Sequence, residues 1–313
     1  MIIGVNLPNY SSLGYRDSII AIAQTAEALG YASLWTNDHV LLPTSRPEPF
    51  GNVLESLTTL SYLAASTNHI RLGTGILVLP QRDPLLVAKQ AATISHLSGG
   101  RLSLAVGVGY IKEEYRYLRA DFHNRGRVVD EYISAIRELF ESDTPEFHGP
   151  HITYSDVLFS PRPSPRIPIL VGGDSPAALK RAATLGDGWY GLWQSPDQVR
   201  ESVAAINALR RREEFEVSVR VVTRIGTPIP DTDPQTSLQS DADAILRKIQ
   251  QYSDAGLDRL VIEPVSTDLD DFLQQLARFA DENHAKHSER LMPMTPLTSG
   301  LHTSRFERRI WRE

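Results

Sequence analysis

The sequence of 313 residues contains no cysteine. That absence excludes a disulfide framework, thiolate metal sites, iron–sulfur clusters and a cysteine nucleophile. It also fits a reducing compartment, and a cytoplasmic location is expected. Lysine is scarce: the 32 basic residues include only Lys89, Lys112, Lys180, Lys248 and Lys286, the rest being arginine. Such a bias is the mark of a GC-rich genome, since arginine codons are GC-rich. Basic residues are not in excess either, with 32 against 38 acidic ones and a net charge of −6. The chain therefore lacks the positive surplus that neutralises phosphate, and no nucleic-acid partner is expected. No apolar run reaches the roughly 18 residues of a membrane span. The opening MIIGVNLPNY lacks the basic and long apolar regions of a secretory signal. No membrane partner is expected.

Several catalytic signatures are missing as well. No G-x-G-x-x-G follows the first strand, and no G-x-S-x-G elbow occurs. No lysine ends a strand, as a Schiff-base aldolase would need. No acidic and histidine set has metal-site spacing, so no metal is expected.

What is present is a regular alternation. Hydrophobic residues make up 41% of the chain and charged ones 22%, enough for a full core. Strands are predicted over Ile2–Pro8, Ser33–Asn37, Arg71–Leu79, Arg101–Val108, Ile167–Val171, Gly188–Leu192, Val217–Ile225 and Arg259–Glu263. Between them the helical spacing of apolar residues predicts helices over Arg16–Leu29, Glu55–Ser66, Pro84–Leu97, Arg127–Phe140, Pro176–Leu185, Pro196–Arg212 and Asp241–Ala255, with Leu269–Asn283 after the last strand. Strict alternation calls for a parallel sheet with helical crossovers. Eight units over about 280 residues fit a (β/α)8 barrel better than a doubly wound sheet. One barrel domain is expected over 1–288, with insertions near 110–125, 145–165 and 227–240, and a tail over 289–313.

In such a barrel the chemistry lies at the C-terminal ends of the strands. Three of those ends are glycine-rich: Gly73-Thr74-Gly75, Gly107-Val108-Gly109 and Gly172-Gly173. Bare backbone there permits a flat ligand to approach closely, and it also serves tight turns. Gly172-Gly173-Asp174-Ser175-Pro176 leads from a strand into a helix, so free N–H groups can bind a phosphate or Asp174 or Ser175 can simply cap the helix. Asp38-His39 is the one adjacent acid–imidazole pair at a strand end, and imidazole titrates near neutral pH.

At these residues the chain resembles the bacterial luciferase-like superfamily of flavin and deazaflavin oxidoreductases. The carriers are Trp35-Thr36-Asn37-Asp38-His39, Arg71-Leu72-Gly73-Thr74-Gly75-Ile76, Leu97-Ser98-Gly99-Gly100-Arg101-Leu102, Gly107-Val108-Gly109-Tyr110 with Lys112-Glu113-Glu114-Tyr115, Arg125-Gly126-Arg127 with Asp130-Glu131-Tyr132, Pro168-Ile169-Leu170-Val171-Gly172-Gly173, and Leu185-Gly186-Asp187-Gly188-Trp189. The resemblance covers about residues 1–285. It implies a TIM barrel with a mid-chain insertion and a coenzyme ring over the strand ends. It implies a cis Gly75–Ile76 peptide and ring contacts from Asp38, Thr74, Gly75, Ile76, Gly107, Val108, Gly109 and Tyr110. Phosphate contacts would come from Gly172, Gly173, Ser175 and Arg127. Asp38 and His39 would be catalytic. The Asn37-Asp38-His39 form is similar to the branch that uses the 8-hydroxy-5-deazaflavin coenzyme F420 for hydride transfer with a small-molecule substrate. The other branch uses reduced FMN from a separate flavin reductase and oxygenates its substrate, and some relatives bind flavin without catalysis. Some deazaflavin dehydrogenases have a glutamate where this chain has Tyr110. A homodimer is expected.

Overall fold

The protein is described by a computed structural model covering residues 1–46, 49–210, 212–226 and 229–289. The strands are β1 (Ile2–Asn6), β2 (Ser33–Thr36), β3 (Arg71–Val78), β4 (Leu102–Gly107), β5 (Phe147–His148), β6 (Thr153–Tyr154), β7 (Ile169–Gly172), β8 (Gly188–Leu192), β9 (Glu216–Ile225), β10 (Ser237–Ser240) and β11 (Arg259–Pro264). Eight of them form one closed sheet in the order β9-β11-β1-β2-β3-β4-β7-β8, with β8 pairing back to β9. Every pairing in that ring is parallel. The fold is a (β/α)8 TIM barrel.

The helices are α1 (Arg16–Ala28), α2 (Ser56–Ser66), α3 (Pro84–Leu97), α4 (Lys112–Tyr117), α5 (Arg125–Glu141), α6 (Pro176–Leu185), α7 (Pro196–Asn207), α8 (Ala242–Asp254) and α9 (Leu269–Glu289). Local chemistry places them. Ile19, Ile22, Ala23 and Ala26 give α1 one buried face, and Gly30 follows it with φ of 80°, the left-handed stop that glycine tolerates. Asp83 caps α3 by accepting from the N–H groups of Leu85 and Leu86, with Pro84 in the first turn. Ser195 and Gln198 form a reciprocal capping box at α7.

Outward strand residues such as Val5, Leu34, Leu72, Leu104, Val171, Val219 and Ile262 pack with the helices in the main core. Inward ones form a separate cluster of Trp35, Ala105, Leu170, Tyr190 and Val261 inside the barrel. The interior is thus a filled core rather than a pore.

Three predicted segments change. The polar stretch after Tyr110 contains α4, a helix too short for its apolar period to register. The loop expected over 227–240 ends in β10, which pairs in parallel with β9 alone. The last helix continues beyond Asn283 to Glu289. The mid-chain excursion is the antiparallel hairpin β5–β6. The tail from 290 to 313 lies outside the described residues. Among the described residues no helix is long and apolar enough to cross a membrane.

Candidate active site

The inward residues near the C-terminal strand ends form the floor of the mouth. Arg220 on β9 is its hub. It is 4% exposed, and its Nη1 donates to Asn37 Oδ1 at 2.5 Å, Asn6 Oδ1 at 3.0 Å and Gly75 O at 3.3 Å. Its Nε lies 3.2 Å from Glu263 Oε2, an ion-pair distance, but lacks the alignment of a hydrogen bond. Burial works against the Arg220 charge, but the Glu263 carboxylate together with Tyr190, Tyr10 and Tyr110 outweighs it and holds the guanidinium above its ordinary range. Glu263 is itself saturated. Tyr10 Oη donates to Oε1 at 3.0 Å, Asn6 Nδ2 to Oε1 at 3.4 Å and Trp193 Nε1 to Oε2 at 3.2 Å. A carboxylate with those partners anchors side chains.

The opposite part of the floor is bare. The Gly75–Ile76 peptide is cis, and the β3–β4 register shifts between Thr74 and Leu77. Ile76 projects over β4 and β7: a Cβ on Gly107 would lie 2.7 Å from its Cδ1, and one on Gly172 2.6 Å from its Cγ2. A Cβ on Gly75 would meet Tyr190 Oη at 2.6 Å, and one on Gly109 would meet Val78 Cγ1 at 2.7 Å. These glycines make room for protein side chains. Their indirect effect is to let Ile76 cover the floor. Thr74 is fully buried and its hydroxyl donates to Ala105 O at 2.7 Å, which places it in the wall. Val108 is half-buried, its carbonyl accepting from Tyr115 Oη at 2.5 Å.

The two residues expected to be catalytic separate. Both oxygens of Asp38 are committed: Oδ2 accepts from Val78 N at 2.8 Å and Oδ1 from Arg82 Nη2 at 2.5 Å. Arg82 Nη1 also reaches Glu55 Oε1 at 3.0 Å. Asp38 therefore ties the end of β2 to the segment after β3, and its burial pushes the carboxyl up against the opposing pull of Arg82.

His39 is oriented by a residue that the sequence reading had not singled out. Its Nδ1 lies 3.2 Å from Glu114 Oε2 on α4. Glu114 is 1% exposed. Its Oε1 accepts from Val40 N at 2.6 Å and Leu41 N at 3.3 Å, and its Oε2 also accepts from Gln81 Nε2 at 3.4 Å. Burial pushes the Glu114 carboxyl up, but the bonds from His39 and Val40 outweigh it and hold the group below the ordinary carboxylate range. An ionised Glu114 selects the tautomer with hydrogen on Nδ1. His39 Nε2 makes no hydrogen bond among the described residues. A neutral His39 thus presents a free lone pair, an arrangement suited to accepting and returning a proton.

The residues expected at the phosphate end lie at the starts of α6 and α5. Gly173 has φ of 109°, a conformation that favours glycine. Ser175 is the N-cap of α6, its Oγ accepting from Ala178 N at 3.2 Å, so the helix-capping reading holds for the hydroxyl. Gly173 through Ala177 are exposed, so backbone donors of the first turn remain open to an anion. Arg127, in the first turn of α5, is exposed and its side chain has no ion-pair partner among the described residues. Beside it, Arg181 Nη2 donates to Gly126 O at 2.9 Å and so ties α6 to α5.

An aromatic wall surrounds the mouth. The Tyr10 and Phe50 rings are 4.7 Å apart, Phe50 and His39 4.7 Å, and His39 and Tyr110 6.1 Å. Phe50 and Tyr110, with Leu42, Ser45, Arg46, Pro49 and Ile111, line a cleft of about 390 Å³. Tyr110 is 65% exposed and Trp193 48%. Sequence reasoning missed Asn6, Asn37 and Arg220 as a floor; their signal was a polar residue on the inward phase of each strand.

The fold and this mouth define a barrel enzyme with its chemistry at the C-terminal strand ends. The sequence profile described as luciferase-like monooxygenase matches residues 4–298, and the chain belongs to that family of oxidoreductases. An uncharacterised protein of Mycobacterium tuberculosis is 35% identical over 217 residues, spanning 64% of this chain and 75% of its own length. An F420-dependent glucose-6-phosphate dehydrogenase of Amycolatopsis mediterranei is 26% identical over 313 residues, spanning 84% of this chain and 93% of its own. Among solved structures, an F420-dependent secondary alcohol dehydrogenase in complex with an F420–acetone adduct superposes with a TM-score of 0.77 at 18% identity, covering 90% of this chain and 98% of that one.

Proposed function

We propose that the protein uses coenzyme F420 to transfer a hydride to or from a small organic substrate. The observation that carries this reading is His39: Nδ1 is fixed by the buried carboxylate of Glu114, and Nε2 makes no hydrogen bond among the described residues. Hydride transfer between a coenzyme and a carbon bearing oxygen needs a partner that moves one proton, and His39 is placed to do so. The F420-dependent relatives support the choice of coenzyme.

The residues present fit such a group. The exposed first turn of α6 and the unpaired Arg127 suit an anionic tail, and Ile76 over Gly107 and Gly172 offers an apolar surface for a flat ring. When bound, the coenzyme supplies the hydride acceptor or donor. The chain's own part is the rest. Ile76 and the glycines beneath it shape the floor. Glu114 holds Nδ1–H of His39, and His39 Nε2 accepts or returns the proton of the substrate oxygen. The aromatic wall keeps water from the reacting atoms. Tyr110, where some deazaflavin dehydrogenases have glutamate, contributes an exposed ring in place of a carboxylate.

The alternative coenzyme is FMN, supplied reduced by a separate reductase. Titration of the protein with F420 and with FMN, followed by fluorescence quenching, tests the reading. F420 is expected to bind in the micromolar range or tighter and FMN at least tenfold more weakly; tighter binding of FMN reverses the assignment. The cytoplasmic location and the homodimer belong to the same proposal.

A further inference from the structure

Two residues at the mouth are left without a task by this mechanism, Trp193 and Arg220. Trp193 has φ of 52°. A bulky aromatic residue rarely adopts the left-handed region, and does so where its surroundings over-determine it, most often at functional sites. Here its N–H donates to Arg220 O at 2.8 Å, its Nε1 donates to Glu263 Oε2 at 3.2 Å, and the Arg220 guanidinium lies 5.9 Å from its ring centre. The residue is therefore held on three counts, two of them through its ring, yet 48% of it is exposed. A tryptophan serving the fold would be covered, as Trp35 is at 1% exposure.

Arg220 is equally unusual. Three acceptors crowd its Nη1, while Nη2 makes no hydrogen bond among the described residues. The buried donor left without a hydrogen bond is Nε, which faces Glu263; Nη2 is not fully buried and is the guanidinium nitrogen open to an acceptor at the mouth. Glu263 already balances the charge, so an uncharged oxygen suits Nη2 better than an anion. Glu263 has its own oxygens occupied by Tyr10, Asn6 and Trp193, so that carboxylate is not open to the hydroxyls of a sugar.

We propose that Trp193 and Arg220 form the subsite that selects the substrate, taking a flat, uncharged, conjugated group through the Trp193 face and its oxygen acceptor through Arg220 Nη2. The proposal rests on reading this mouth as the active site. The same chemistry is present in the coenzyme ring, but the bare floor over Gly107 and Gly172 is the place for that ring, and the charged side falls to the substrate.

The test is calorimetric titration of the full chain with benzamide, cyclohexanecarboxamide and benzoate, alone and with saturating F420. Benzamide is expected to bind in the millimolar range or tighter, about fivefold better than its saturated counterpart, with benzoate no tighter and with F420 present or absent. Trp193→Leu should erase the preference for the flat amide and leave F420 affinity unchanged. Trp193→Phe should retain the preference, and Arg220→Lys should weaken both amides alike. Melting curves identify any variant that fails to fold, in which case the other two carry the result. Absence of benzamide binding, equal binding of the two amides by the parent, tighter binding of benzoate, displacement by F420, or indifference to Trp193→Leu each overturns the proposal. Failure of F420 to bind at all would strike the coenzyme reading by its own titration, while the titrations without coenzyme still decide the subsite.

Discussion

The two ends of the barrel carry the same residue types and use them differently. At the N-terminal end Arg259 meets Glu216 side-on, with Nε to Oε1 at 2.9 Å and Nη2 to Oε2 at 3.2 Å, and its Nη1 reaches Ser33 Oγ at 3.0 Å. Its guanidinium lies 5.9 Å from the ring of Trp35, which is 1% exposed. At the C-terminal end Arg220 also pairs with a glutamate and also lies 5.9 Å from a tryptophan. There the pair is misaligned, neither Nε nor Nη2 makes a hydrogen bond among the described residues, and the tryptophan is half exposed. Two-point geometry satisfies arginine and carboxylate together, so the lower pair is a closed plug. The upper pair keeps donor capacity in hand. Conserving the residue types while relaxing the geometry is how one end of the barrel stabilises and the other binds.

Four substitutions sharpen or break this contrast. His39→Ala is expected to have the largest effect, a loss of about 10²-fold or more in turnover, the scale of general acid–base catalysis. The variant should also melt lower than the parent, because His39 is buried against the Glu114 carboxylate, and turnover is compared at a temperature where both are folded. Turnover within a factor of two of the parent would remove His39 from the chemistry. Arg259→Gln should act the other way. Loss of a two-point charged hydrogen bond should lower the unfolding free energy by about 2 kcal/mol, read by urea denaturation, with the F420 affinity of the folded protein unchanged. A weaker Kd for F420 in that variant would mean the two ends are coupled.

Glu114→Gln should reduce kcat about tenfold, because an amide at that position no longer fixes hydrogen on Nδ1 of His39. It should also alter the acid response. The Glu114 carboxyl is held low in the fold, so its contribution to stability is fully present above the unfolded value of about 4.3. That contribution disappears as pH falls through the lower folded value. Unfolding curves of parent and variant should therefore converge in acid and separate above about pH 5. A constant separation across that range would show that Glu114 is not ionised in the fold. The smallest effect is expected from Arg127→Ala, a few-fold loss in F420 affinity that shrinks as salt is raised, since the residue is exposed. An affinity unchanged at low salt would place the anionic tail elsewhere.

Much of the fold was legible because its signals are periodic. The apolar faces of α1 and α3, the proline and glycine stops, and the alternation itself marked eight units. The site was legible in part. Glycines at three strand ends, Asp38-His39 and the Gly172-to-Ser175 turn all lie on one rim, but the reasons differ from those expected. Gly107 and Gly172 yield space to Ile76, and Asp38 braces Arg82 and Val78. Arg220 escaped notice because an arginine in the run Val217–Ile225, which also holds Arg224, reads as a solvent-facing position. In a barrel the alternate face of a strand points inward, so that charge was the clearest sign of the floor. Glu114 was hidden for another reason: α4 is a helix of six residues, too short for a period, and its partner His39 is 75 residues away. Such long-range pairs leave no trace in local pattern.

The most direct test of the division of labour is a crystal structure of the complex with coenzyme F420. The account predicts the ring against Ile76 above Gly107 and Gly172. The anionic tail should lie at Gly173 to Ser175 and Arg127, with His39 Nε2 open to the space beside the ring and Trp193 uncovered. A ring stacked on Trp193 and bonded to Arg220, or a tail bound away from α6, would contradict it.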